Sequence, residues 1–157
     1  MIPALGVALT APTTTLDFTL GEIAWVDGKA YQYVQANGAV TGAGYVVTYN
    51  QTFDAAMLTT SNDVAGWSVG VPLAAFADNE YGWVQVFGQG SVRSEQDALA
   101  NSFLGATADA GQLDDAAATG LMVWGITFGT ATPAADGLNA TAFLRWPAIQ
   151  TRPAPAT

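Results

Sequence analysis

The stretch Glu22-Ile-Ala-Trp-Val-Asp-Gly-Lys-Ala-Tyr-Gln-Tyr-Val-Gln35 decides the fold class. Two β-rich runs flank Asp27-Gly28, and Asp-Gly supplies the positive φ that a two-residue hairpin turn requires. Tyr31, Tyr33 and Gln35 fall on one face of the second run, because side chains alternate along a strand. A hairpin of this strength near the start makes the rest of the chain a search for further strands.

Working outward, residues 44–49 are rich in Val and Tyr and form a third strand. Residues 67–71 make a fourth, ending at Pro72. After the turn at 78–82 comes the strand 83–87, closed by Gly88 and Gly90. Residues 121–128 are the longest strand, with Met122, Trp124, Ile126 and Phe128 on one face, which suggests a core side. The last strand is 141–146, stopped by Pro147. One helix is expected over 95–104, capped by Ser94 with Asp97 three residues on, and with Leu99 and Phe103 four apart. Residues 52–58 could add a single helical turn. The expectation is an all-β, single-domain protein: an antiparallel β-sandwich or small barrel with one or two short helices and extended termini. Its parts are an N-terminal arm at 1–15, a β domain at 16–150 and a Pro/Ala-rich tail at 151–157.

Composition narrows function. A chain of 157 residues fits one domain that folds without a metal or disulfide. Only 11% of residues are charged, against a usual ~25%, so part of the surface is expected to be covered by a partner. Four Lys and Arg stand against 13 Asp and Glu, for a net charge of −9. The four cations, Lys29, Arg93, Arg145 and Arg152, are scattered, which argues against nucleic acid and anionic membrane as partners. There is no Cys and no His, which removes thiol chemistry, structural zinc and the commonest general base near neutral pH. The uncharged stretches 30–53 and 116–135 are broken by Gly, Thr, Asn or Pro and read as strands with turns. The first ten residues, uncharged and interrupted by Pro3 and Gly6, do not read as a secretory signal. Without one, the glycosylation-like triplets Asn50-Gln51-Thr52 and Asn139-Ala140-Thr141 read as chance.

The candidate chemistry is thin. Asp78 with Glu80, Glu95 with Asp97, and Asp114 with Asp115 are the carboxylate pairs a glycoside hydrolase would need. Each reads more simply as turn or cap chemistry. Asp109, Asp114 and Asp115 could ligate calcium but lack the alternating ligands and final Glu of an EF-hand loop. A Ser–Lys nucleophile would have to use Lys29, beside the Asp27-Gly28 turn, where an ammonium stays hydrated and protonated. Gly88-Gln-Gly90 is no nucleotide fingerprint, since no phosphate-binding helix follows. No catalytic residue, cofactor or metal is therefore expected. Trp83 and Trp124 are expected in the core, while Tyr31, Tyr33 and Tyr49 are left open between core and surface.

Two runs carry a resemblance. They are Val69-Gly-Val-Pro-Leu-Ala-Ala-Phe-Ala-Asp-Asn-Glu-Tyr-Gly-Trp-Val-Gln-Val-Phe-Gly88, and Leu104-Gly-Ala-Thr-Ala-Asp-Ala-Gly-Gln-Leu-Asp-Asp115 followed by Val123-Trp-Gly-Ile126. This pattern, a Tyr-Gly-Trp-Val-Gln-Val strand ending in Gly and a Thr-Ala-x-Ala-Gly-Gln-Leu loop leading to a Gly-Ile strand, resembles small structural proteins of tailed bacteriophages. It extends from Phe53 to Phe128; the first 50 residues lie outside it. The resemblance is to capsid-associated and head-decoration proteins, and it implies no catalytic residues.

The resulting expectation is a non-enzymatic decoration or cement protein. It would bind the major capsid protein on the outer surface of a phage head, at capsomer junctions, self-associated as a homotrimer. It would be assembled in the host cytoplasm. The arm at 1–15 supplies the expected assembly residues, Ile2, Leu5, Val7 and Leu9, whose alternation suits strand addition to a neighbour. The competing expectation is that the arm is the first strand of its own domain. Alternatives for function are another virion component (fibre base, tail or minor capsid protein) and a carbohydrate-binding or adhesion module with exposed Tyr and Trp. An enzyme is the remaining alternative.

Overall fold

The computed structural model describes residues 8–116, 121–130, 132 and 135–151. Ten strands form one mixed sheet, and the described residues contain no helix. The strands are β1 (Ile23–Val26), β2 (Lys29–Ala36), β3 (Val47–Tyr49), β4 (Asp54–Met57) and β5 (Ser68–Pro72). They are followed by β6 (Tyr81–Ser94), β7 (Gly105–Ala106), β8 (Leu113–Asp114), β9 (Leu121–Phe128) and β10 (Leu138–Thr151). The hairpin read from Asp27-Gly28 is present: Val26 pairs with Lys29, and the two turn residues sit at φ 49° and 75°.

Strand pairing returns on itself. β2 pairs with β4, β4 with β3, β3 with β5, β5 with β6, and β6 with β2 again. The side chains that strand alternation sends to one side of this circuit, including Val34, Val47, Tyr49, Ala55, Val84 and Val86, form one buried cluster. The opposite face of β2 and β6 carries a second cluster of Tyr31, Tyr33 and Trp83 with Ala24. A third and larger cluster lies where Val69 and Val71 of β5 meet Ile126, Phe128, Ala142 and Leu144 of β9 and β10.

β6 joins the two halves. Its first part pairs with β2 as far as Phe87, and its second part pairs with β10 from Phe87 to Ser94. At the switch, Gly88 takes φ 94° and bends the strand rather than ending it. The fully buried Gln85 amide donates to the carbonyls of Phe87 and Gln89, both at 3.1 Å, on either side of that bend. Glycine therefore sits inside a continuous strand where the sequence suggested a stop. β10 likewise runs through Pro147 to Thr151.

The expected helix over 95–104 is not formed. Ser94 is the last residue of β6 and its hydroxyl donates to Leu138 O at 3.4 Å instead of capping a helix. Asp97 and Asn101 adopt φ of 56° and 57°, left-handed values that a right-handed helix cannot accommodate. Ala98 is buried while Leu99 and Phe103, the supposed inner face, are 58% and 57% exposed. Residues 52–58 give no helical turn either. Asn50 Oδ1 accepts the N–H groups of Thr52 and Asp54, making a side-chain-held turn that feeds directly into β4.

Candidate functional site

The most distinctive surface arises from a double irregularity between β9 and β10. Leu144 pairs with Ile126, but the next pair is Ala148 with Trp124, so four steps on β10 face two on β9. Gly125 (φ 84°) and Trp146 (φ 54°) supply the left-handed residues. Because sidedness alternates, such a bulge reverses which positions face the core. On β10 the buried set is Ala140, Ala142 and Leu144 before the bulge and Ile149 after it. On β9 Met122 and Val123 are buried before it and Ile126 and Phe128 after it, and it is Val123 that joins Ile126 and Phe128 in one core cluster. Trp124 and Trp146 are thereby turned outward, 37% and 47% exposed.

Between them runs a groove of about 460 Å³, within the roughly 300–1,000 Å³ of small-ligand sites. Phe103, from the loop before β7, stands at one end with its ring 5.6 Å from Trp124. Trp146 is at the other, 6.2 Å from Phe87 and 6.3 Å from Trp25. Phe143 continues this aromatic row, edge-on to Phe87 at 5.9 Å. The polar lining is Asn101, Ser102, Thr127, Gln150 and Arg145. Arg145 is the single ionised residue of that lining among the described residues, and its guanidinium carbon lies 5.0 Å from the centre of the Phe143 ring. No lining residue is a carboxylate, so the groove offers stacking faces, amides, hydroxyls and one cation, and no acid–base pair. No protein-family model matches this chain, and no curated protein matches it.

The residues singled out from sequence lie elsewhere. Asp78 accepts the N–H of Gly38 at 2.7 Å, and Glu80 accepts that of Ala77 at 2.7 Å, beside Asn79 at φ 64°. Glu80 therefore closes its own turn, and Asp78 ties that turn to the backbone at Gly38. Burial raises the Asp114 carboxyl above its ordinary value, while the Asp115 N–H donated to it at 2.8 Å pulls the other way. Among the described residues no three His, Cys, Asp or Glu side chains come together as a metal site, Asp109, Asp114 and Asp115 included. Lys29 lies in β2 immediately after its turn.

Of the assembly residues, Ile2, Leu5 and Val7 lie outside the described residues. Leu9 is half-buried and packs with Phe18 and Leu20 on the Tyr33–Trp83 cluster. Thr13 forms a single bridge to Tyr81, with both backbone bonds made (2.9 and 2.8 Å).

Trp83 is buried as expected, at 2% exposure, but Trp124 is not a core residue. The period-2 reading placed it beside Ile126 and Phe128; the bulge at Gly125 moves it to the other face. Trp146, Phe143 and Phe103 were not anticipated as site residues. The signals were a lone Gly inside an apolar strand and a Trp directly before Pro147, both marks of an irregular strand.

Proposed function

We propose that this chain is a non-enzymatic structural protein of a tailed-phage particle. In this reading it is a decoration or cement protein seated on the outer surface of the head at capsomer junctions. It would be assembled in the host cytoplasm, bind the major capsid protein and associate as a homotrimer. The observation that carries the reading is the strap formed by residues 8–20. It lies over the outside of the Tyr33–Trp83 cluster and is tied to the sheet by the Thr13–Tyr81 bridge and by the Tyr33 hydroxyl, which accepts from Asp17 N–H at 3.4 Å and donates to Thr15 O at 3.5 Å. Leu16, within that strap, is 54% exposed, and an apolar side chain left in water there suits burial against a neighbour. The body supplies a rigid base. We read the closed circuit β2–β4–β3–β5–β6 as a small barrel, an architecture that leaves few free strand edges to pair with the wrong chain.

Deleting residues 2–12 tests the proposal by co-sedimentation with particles lacking this protein. The expected result is a folded, β-rich variant that no longer binds. Unchanged binding overturns the proposal, and so does a variant that cannot fold, which would make the strap part of the core.

A second reading, a carbohydrate-binding or adhesion module, is favoured by a different observation: the groove between the outward-turned Trp124 and Trp146.

A further inference from the structure

We propose that the groove bounded by Trp124 and Trp146 binds an acidic saccharide, a sugar unit bearing a carboxylate. The inference rests on the carbohydrate-binding reading and is independent of the capsid attachment assigned to the strap.

The backbone comes first. A bulky residue at φ 54° is an outlier, disfavoured relative to right-handed or extended backbone. Gly would occupy the position of Trp146 without that penalty. Packing against Phe87 and Trp25 covers about half of Trp146 and leaves the rest of the ring in water. Strain retained at an exposed aromatic points toward a ligand contact rather than toward folding. The same bulge that strains Trp146 also releases Trp124 from the core face, so one irregularity presents both rings.

The lining then selects the ligand. The C–H groups on one face of a pyranose ring carry small positive charge and meet the negative face of an aromatic ring. Its hydroxyls, arranged around the ring edge, need groups that both donate and accept. Asn101 and Gln150 amides and the Ser102 hydroxyl do both. A purely apolar partner surface would strand these polar groups without bonds, at a cost for each of them. A nucleic acid would need several cations, and among the described residues the lining has one.

That one cation sets the charge of the sugar. The chain holds four Lys and Arg against 13 Asp and Glu, yet the groove is lined by Arg145 and by no carboxylate. A guanidinium fork matches a carboxylate with two parallel hydrogen bonds. Contact with Phe143 restrains the Arg145 side chain over the ring, which lowers the entropy lost when it engages a ligand.

The full chain is tested on an array of oligosaccharides that pairs uronic- and sialic-acid-bearing members with neutral counterparts, followed by titration of hits using tryptophan fluorescence. The expected result is binding of acid-bearing members at least tenfold tighter than of their neutral partners. Trp146→Ala and Trp124→Ala each weaken it more than tenfold, with unchanged circular dichroism. Arg145→Gln abolishes the acid preference, bringing acid-bearing members to within about twofold of their neutral partners. Should Trp146→Ala disturb the fold, Trp124→Ala carries the same test. Binding of neutral and acidic members alike through these tryptophans overturns the acidic assignment and leaves the carbohydrate reading standing. Absence of binding across the array overturns both, and binding that survives both tryptophan changes moves the site elsewhere and overturns the proposal.

Discussion

The backbone of Gly125 lies directly against the peptides on either side of Trp146. A Cβ built on Gly125 would come within 2.8 Å of the Arg145 carbonyl oxygen and 3.1 Å of Pro147 Cα. Neither neighbour can retreat easily, because both are main chain. Gly125→Ala therefore combines a left-handed penalty with a backbone clash, and roughly 2–4 kcal/mol of stability is expected to be lost. Urea unfolding measures it. A loss below about 0.5 kcal/mol, the scale of an ordinary surface substitution, would show that the two strands are not in this contact.

Trp146 and Trp83 provide the complementary comparison. Trp83 is 2% exposed and its ring centre lies 4.9 Å from that of Tyr33 and 5.1 Å from that of Phe18. Trp83→Ala is expected to cost about 3–5 kcal/mol. Trp146→Gly loses the partial contact with Phe87 and Trp25 but relieves the left-handed backbone, so a net change within about 1 kcal/mol is expected. Thermal unfolding of both variants checks the contrast. Equal losses would show that Trp146 is a packing residue and would weaken its assignment to a binding groove.

The strands were legible from sequence wherever alternation ran unbroken, as at Tyr31 and Tyr33 with their Asp27-Gly28 turn. Reading failed wherever the chain used bulges. Gly88 and Pro147 read locally as stops, yet β6 and β10 run through them and are 14 residues long each. The paired bulge at Gly125 and Trp146 reversed the side on which Trp124 falls, which a local period cannot foresee because the cause lies on the partner strand. Asp97 and Asn101 defeat the expected helix for the same kind of reason. Their left-handed backbone is set by tertiary hydrogen bonds, such as Asn101 N–H to Phe128 O at 3.1 Å. The groove was beyond sequence reading because Asn101, Phe103, Trp124 and Arg145 meet only through that register shift.

Gln85 is expected to be a sensitive polar position. It is 1% exposed, and its amide satisfies the carbonyls of Phe87 and Gln89 around the Gly88 bend. Gln85→Leu keeps a similar volume but leaves two acceptors without that donor, at about 1–3 kcal/mol for each one that stays buried. An expected total near 3 kcal/mol would appear as a lower urea midpoint with an unchanged denaturant slope. Gln85→Glu tests the polarity of the contact: the carboxylate cannot donate and should be at least as damaging at neutral pH. Stability equal to the parent for both variants would mean the bend is held by other groups.

Tyr49 gives the fold a defined alkaline limit. Its side chain is buried among Val47, Ala55 and Val84, and its hydroxyl donates to Gln32 Oε1 at 2.6 Å. Burial pushes the Tyr49 phenol well above its ordinary value. In the unfolded chain the phenol ionises near pH 10. The raised folded value means that this group's contribution is fully present below about pH 10 and is lost as pH rises from there towards the folded pKa. In that window the unfolded state gives up a proton the folded state keeps, so stability falls by up to about 1.4 kcal/mol per pH unit. Tyr49→Phe removes this slope while deleting the hydrogen bond to Gln32, worth about 1 kcal/mol. The variant is therefore expected to be about 1 kcal/mol less stable at pH 7, and to overtake the parent as pH rises above roughly 11. Tyr31 and Tyr33, whose pKa values burial also raises, are present in both proteins and cancel in the comparison. Urea midpoints at half-unit steps from pH 7 to 11.5 would show the two curves converging. Parallel curves across that range would mean that the Tyr49 hydroxyl reaches solvent in the folded protein, contrary to its place in the core.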